Sequence, residues 1–287
     1  MFKSKIAAFF SILLASVAML LVIPLVTSKV YNNMALSSIV YFFLTLLSIR
    51  VFSRKLPSST ILTIIFLTIL LLQAFTIYTW FVWDLFGLPI VVGDCLAVLS
   101  AFLYTKLKFP RKLVPLTLSI CFVAFMFFHG WDYWLHRVNY GTFTGRIDAY
   151  PLILGLETYD ENRSPVTNEN FSGKIVLLDF WNTSCGVCFE KFPTLQTAYE
   201  NYRNDSSVFM FALNIPIDED TPGQAFQVIK DAGYSFPVVI AKDEDLLQKF
   251  GARYYPTTVV INRKGMIVYR GEIEGAVKMV DELKAQN

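Results

Sequence analysis

Lys174-Ile175-Val176-Leu177-Leu178-Asp179-Phe180-Trp181, leading through Asn182-Thr183-Ser184 into Cys185-Gly186-Val187-Cys188, is the stretch from which the fold is read. Its first half is a near-continuous apolar run, the pattern of a central strand covered on both faces. Its second half sets two thiols three positions apart, where the chain leaves that strand and enters a helix. Thiols so spaced can close a disulfide and reopen it. At a helix start the unpaired backbone N–H groups and the positive end of the helix dipole favour a thiolate on the first cysteine. The thiolate is the nucleophilic form. The stretch therefore predicts a two-electron thiol–disulfide exchange site.

Metal binding is the rival interpretation of such a pair. A structural zinc site wants four ligands, commonly a second cysteine pair or spaced histidines. The other cysteines, Cys95 and Cys121, lie within apolar runs, and the two histidines, His129 and His136, stand far upstream. The second half of a zinc site is missing, so neither a metal nor another cofactor is expected.

Working outward, the 287 residues are 54% hydrophobic and 17% charged, with a mean hydropathy of +0.48. Those averages conceal two unlike halves. Five apolar stretches, roughly Ile6–Val26, Ala35–Phe52, Thr60–Trp83, Leu88–Tyr104 and Leu113–Phe128, read as spans. A helix needs about 20 residues to cross the hydrocarbon, and in lipid only a structure that satisfies its own backbone is tolerated. The expected organisation is an all-α membrane domain over residues 1–130 with about five transmembrane helices, a juxtamembrane linker over 131–149, and a soluble domain over 150–287.

The loops set an orientation. Lys3, Lys5, Arg50, Arg54, Lys55, Lys106, Lys108, Arg111 and Lys112 fall on one side, against Lys29 and Arg137 on the other. Basic residues stay cytoplasmic, so five crossings put the C-terminal domain on the periplasmic or extracellular side of the cell membrane, where disulfides form and persist. The alternative of four spans would put it in the cytosol and split the basic clusters between both faces. The first apolar stretch exceeds the 7–15 residues of a signal-peptide core, and Thr27-Ser28-Lys29-Val30 lacks a small-x-small cleavage site. A retained anchor is expected, with the lipid bilayer as a partner and no nucleic acid.

Phe127 to His136 reads as an aromatic belt at the headgroup level, with a haem or quinone site on His129 and His136 as the alternative. Asp94, an intramembrane acid, is a functional candidate by default, although a place near the span's outer end would let it reach water. Cys95 and Cys121 read as small core residues, the alternative being an electron-relay pair.

In the soluble half, strands are expected at Leu152–Thr158, Lys174–Trp181, Val208–Ile215 and Phe236–Ala241, with a hairpin of Thr257–Asn262 and Met266–Arg270. Helices are expected from Cys188 to about Asn201, at Thr221–Ala232 with Pro222 in its first turn, at Glu244–Phe250 and at Ala276–Lys284. Strands alternating with helices, then an antiparallel pair, imply an α/β mixed sheet with helices on both faces.

With Asp179-Phe180-Trp181, the Cys185/Cys188 pair, Pro193 in the following helix and Tyr255-Pro256-Thr257 before a strand, the domain resembles the thioredoxin-like family, in its membrane-anchored TlpA/ResA-type branch. An extra strand–helix segment, about Ile215–Ala241, sits where that branch carries its insertion. The resemblance implies that Cys185 attacks a target disulfide and that Cys188 resolves the mixed disulfide. It makes Asp179 the buried acid that takes the Cys188 proton, a buried carboxyl having its charged form disfavoured. It makes Pro256 a cis-proline beside the pair, with Tyr255 pairing with the substrate chain in β-fashion, and Trp181 a further substrate-binding residue. The sequence departs from the branch at Ser184, at Gly186-Val187, and at Lys191, where related members carry a glutamate.

The function implied is a membrane-tethered thiol–disulfide oxidoreductase that reduces protein disulfides, such as those of apocytochrome c in cytochrome c maturation. A partner membrane reductase would supply its electrons, because the spans carry no paired cysteine motif. Two alternatives stand beside it. One is a peroxide reductase, for which Thr183 is near the cysteine but no proline leads the loop. The other is a redox-sensing or assembly protein whose membrane half carries the function.

Overall fold

The computed structural model describes residues 2–27, 30–80, 87–151, 156–242 and 245–286. The chain divides into two units, Met1–Leu135 and His136–Asn287.

The first unit is helical. It contains α1 (Phe2–Val26), α2 (Val30–Phe52), α3 (Ser58–Trp80), α4 (Leu88–Lys106) and α5 (Leu113–Phe125), then a π-helical turn at Met126–Gly130 and α6 (Trp131–Tyr140), whose residues from His136 belong to the second unit. Four helical stretches among the described residues are long and apolar enough to cross a membrane: Lys3–Val26, Asn32–Phe52, Leu88–Lys106 and Leu113–Tyr140. Within α3 the apolar stretch Ser58–Gln73 is shorter, and residues 81–83 of the third expected span lie outside the described residues. Ile12, Tyr41, Ile61, Ile65, Ile69 and Val98 pack between the helices. Hydroxyls in that core bond back to their own helix, Ser16 to the Ile12 carbonyl (2.9 Å) and Thr45 to that of Tyr41 (2.7 Å), which needs no water. The outer surface is apolar instead: Leu14 is 71%, Leu25 85% and Leu118 64% exposed, a surface that a water-soluble bundle does not present. Asp94 does not reach water. It is fully buried, and its Oδ1 accepts from Ser37 Oγ (2.6 Å) and Ser38 Oγ (3.3 Å). Cys95 and Cys121 are free thiols.

The second unit is a mixed sheet with helices. Its strands are β1 (Arg146–Pro151), β2 (Thr158–Tyr159), β3 (Pro165–Val166), β4 (Ile175–Trp181), β5 (Val208–Asn214), β6 (Val238–Ala241), β7 (Thr257–Ile261) and β8 (Met266–Gly271). They lie in the order β1-β8-β7-β4-β5-β6-β2-β3. β4 is parallel to β5 and antiparallel to β7, so the quoted stretch is the centre of the sheet. The helices are α7 (Gly186–Tyr202), α8 (Gln224–Asp231), α9 (Leu246–Lys249) and α10 (Ile273–Ala285).

Every residue of β4 is buried, and the period of two along a strand divides them between two cores. Ile175, Leu177 and Trp181 pack with Phe192 and Leu195 of α7 and Val280 of α10. Val176, Leu178 and Phe180 pack with Leu246, Leu247 and Phe250 at α9. The same parity puts Asp179 on the α7 side of the sheet.

Beyond shifts of helix ends, three stretches differ from expectation. Residues 131–149, expected as a linker, hold α6 and most of β1, which pairs with β8 through Arg146↔Tyr269 and Tyr150↔Ile267. The strand expected at Leu152–Thr158 falls partly on residues 152–155, which lie outside the described residues, and Thr158 begins β2. The helix expected from Thr221 begins at Gln224. Gly223 at φ +83° breaks the turn, leaving Pro222 ahead of the helix while Gln224 Oε1 accepts from the Thr221 N–H (2.9 Å) and hydroxyl (3.0 Å).

Candidate active site

The start of α7 positions the cysteines. Cys185 is its N-cap residue, and Cys185 Sγ accepts the Cys188 backbone N–H at 3.2 Å. The two are joined as a disulfide with their Cα atoms 5.3 Å apart. Cys188 is fully buried in the core beside Trp181 and Phe192, whereas Cys185 is half-buried and Gly186 and Val187 are exposed. One sulfur is thus accessible and the other enclosed. When the disulfide opens, negative charge on Cys185 sits where a backbone donor and the helix dipole both favour it.

Asp179 is 2% exposed, and its Oδ1 accepts from Thr258 Oγ1 at 2.7 Å. Burial pushes its carboxyl up to about 7. The Thr258 hydrogen bond opposes that rise, Glu274 adds to it, and Lys191 again opposes it. Asp179 lines a cavity of about 180 Å³ together with Val187, Lys191, Pro256, Thr258 and Tyr140. The residue between the cysteines and the acid therefore share one hollow.

Lys191, one turn beyond Cys188, places its Nζ 2.7 Å from Glu274 Oε1 and 3.8 Å from Glu272 Oε2. Partial burial disfavours its charge, but the two glutamates outweigh that and hold the ammonium above the ordinary lysine range. A cation paired with two acids thus stands one turn beyond Cys188, and one of those acids, Glu272, lines the same hollow.

The Tyr255–Pro256 peptide bond is cis, and both residues are half-buried. Trp181 requires a correction. It is fully buried, edge-on to Phe189 (6.0 Å) and Phe192 (5.2 Å), so it supports α7 from beneath and offers no surface to a bound chain. Thr183 gives its hydroxyl to Asp220 Oδ1. His136 is engaged with the Thr142 carbonyl through Nδ1 at 2.7 Å. Among the described residues no three His, Cys, Asp or Glu side chains gather where a metal ion would sit. Thr258, the Lys191–Glu274 pair and Tyr140 escaped the sequence reasoning. Thr258 follows from pairing β4 with β7, whereas nothing in the motif spacing points to Tyr140.

A central parallel pair flanked by an antiparallel hairpin, with the loop before β7 sharing a hollow with the helix that carries the cysteines, defines a thioredoxin-like domain. A family model described as Redoxin matches residues 143–286, half of the chain, and the chain belongs to the Redoxin family. It is 38% identical over 96 residues to the thiol-disulfide oxidoreductase ResA of Halalkalibacterium halodurans, covering 33% of this chain and 52% of that one. It is 29% identical over 109 residues to the protein of the same name from Bacillus subtilis, covering 38% and 59%. The chain thus spans about half the length of the curated relatives it matches. Among solved structures, the pneumococcal exposed lipoprotein thioredoxin of Streptococcus pneumoniae superposes with a TM-score of 0.40 at 21% identity, over 46% of this chain and 99% of that one.

Proposed function

We propose that this protein is a membrane-tethered thiol–disulfide oxidoreductase that reduces protein disulfides outside the cytoplasm. One observation carries the proposal: an accessible sulfur at a helix start is joined to an enclosed one, with the residue between them lining the hollow of a buried acid. The names of the two relatives agree with that activity.

In the reduced protein, the Cys185 thiolate attacks one sulfur of a substrate disulfide and releases the other as a thiolate. The Cys188 thiol then passes its proton to the Asp179 carboxylate and attacks Cys185 Sγ. The second substrate sulfur leaves with the electron pair of the mixed disulfide. Two electrons have moved to the substrate, and the Cys185–Cys188 bond has formed. Tyr255 and Pro256 form the ledge on which the substrate chain lies. A partner membrane reductase returns the enzyme to its dithiol form.

The membrane half acts as tether. Four apolar helices with lipid-like outer faces support this. Counting α3 as a fifth crossing, with the basic loops cytoplasmic, puts the redox domain outside. Apocytochrome c and other exported proteins with cysteine pairs are the substrate class this reading favours. The test is a Cys188→Ser variant of the full chain, which cannot resolve its mixed disulfide. It should accumulate covalent adducts with exported cysteine-pair proteins, dissolved by dithiothreitol. An absence of adducts with a reactive Cys185 present would refute a protein-directed role.

A further inference from the structure

Tyr140 ends α6 and belongs to no motif, yet it is built into the site. The residue is 7% exposed and lines the Asp179 cavity, and its hydroxyl donates to the Pro256 carbonyl at 3.3 Å. Its own carbonyl accepts Arg270 Nε (3.1 Å) and Nη2 (3.0 Å), and Arg270 Nη1 continues to the Phe250 carbonyl (3.3 Å). Arg270 needs the absent side chain of Gly251, at φ +70°: a Cβ there would fall 2.1 Å from Nη1. His136, one turn earlier, lays its ring 4.6 Å from that of Tyr140. Tyr140 is held at both ends, by its carbonyl on β8 and by its hydroxyl on the loop before β7.

Resting on the oxidoreductase reading above, we infer that Tyr140 is a positioning residue for disulfide exchange: it ties the Pro256 carbonyl in place beneath the substrate chain and closes one wall of the hollow from which Asp179 serves Cys188. The groups facing that hollow come from several elements. Lys191 lies on α7, Glu272 at the start of α10, Tyr255 and Thr258 around the start of β7, and Asn139 and Tyr140 on α6; Glu274 pairs with Lys191 from α10. Of these, Asn139 and Tyr140 come from the segment that precedes the sheet, and Tyr140 bonds to the loop before β7. Opening its wall admits water to Asp179, which weakens the burial that favours the neutral carboxyl. Releasing the Pro256 carbonyl loosens the ledge for a peptide but matters less to a small disulfide that makes no backbone contact.

The experiment uses reduced full-length protein in detergent and two probes, an oxidised Cys-x-x-Cys peptide and hydroxyethyl disulfide. Mixed-disulfide decay in single turnover is followed from pH 5 to 9. Tyr140→Ala should move the pH limb of the resolving step to lower pH by about one unit, a tenfold change in proton concentration. Tyr140→Phe, which keeps the ring and loses the bond to Pro256, should lower the peptide-to-small-disulfide ratio of kcat/KM at least threefold. A merely structural role would lower thermal stability and leave both readouts in place. Should Tyr140→Ala fail to fold, the Tyr140→Phe ratio decides alone. A ratio within twofold of wild type, with an unmoved limb wherever Tyr140→Ala folds, overturns the assignment of Tyr140 and leaves the oxidoreductase reading standing. Wild-type protein that never forms a mixed disulfide with either probe overturns both.

Discussion

Asp179 and Thr258 are register partners across β4 and β7, and the threonine hydroxyl donates to the aspartate at 2.7 Å. A hydroxyl can serve a carboxyl in both protonation states, donating to the anion and turning to accept from the acid. The strand that carries the acid is therefore compatible with a proton that comes and goes, and several outcomes follow from it.

Replacing Asp179 by Asn keeps the shape and removes the base. The first attack by Cys185 should proceed, while resolution by Cys188 should slow by about 100-fold or more. Rapid acid quench of single turnovers, with the mixed disulfide trapped by alkylation, would show its lifetime lengthen. A resolving rate equal to wild type would remove Asp179 from the mechanism.

Stability should depend on pH through the same group. The folded protein holds the Asp179 proton up to about 7, against an ordinary value of 3.8. Between those values the folded state binds more protons than the unfolded chain, so stability is greatest at the acid end of the interval, falls as pH rises, and levels off above about 7. The full excursion is on the order of 4 kcal/mol. Urea titrations of the disulfide form between pH 4 and 8 should show this decline in wild type and lose it in Asp179→Asn.

Lys191→Met removes the cation near the hollow and leaves Glu274 and Glu272 unopposed. Because Lys191 draws the Asp179 carboxyl down and Glu274 pushes it up, the pH limb of the resolving step should move to higher pH. Glu274→Gln should move it the other way. A pH–rate series of both variants checks the two signs together, and shifts of the same sign would contradict the electrostatic account.

Trp181→Ala should cost about 3–5 kcal/mol, the range for deleting a large buried aromatic, with mixed-disulfide formation unaltered in the protein that remains folded. Chemical unfolding measures the first and peptide kinetics at low temperature the second. Weakened peptide binding at undiminished stability would restore Trp181 to the substrate surface.

The central strand, the helix carrying the cysteines and the closing hairpin were legible because each had a pattern in its own sequence: an unbroken apolar run, a thiol pair at a helix start, turn residues between two short strands. The acid was legible because one carboxylate stands alone in β4. Lys191 was legible only as a departure, since the glutamates that answer it lie 81 and 83 positions further on. Their approach depends on α10 starting at Ile273 rather than at Ala276, and helix boundaries are weakly marked in sequence. Tyr140 meets Pro256 across 116 positions. That approach depends on β1 lying along β8, and β1 has an irregular burial pattern in place of a clean alternation. Trp181 was misassigned because it lies on the same face of β4 as Asp179, and nearness to the cysteines in sequence does not reveal that Phe189 and Phe192 of α7 cover it.

The place of β1 has a practical consequence. A soluble fragment cut at residue 150 would keep β8 but strip its outer neighbour, leaving a row of backbone N–H and C=O groups without mates along one margin of the sheet. Such margins recruit strands from other molecules, so that fragment should self-associate more readily than one beginning at His136, in which β1 covers β8.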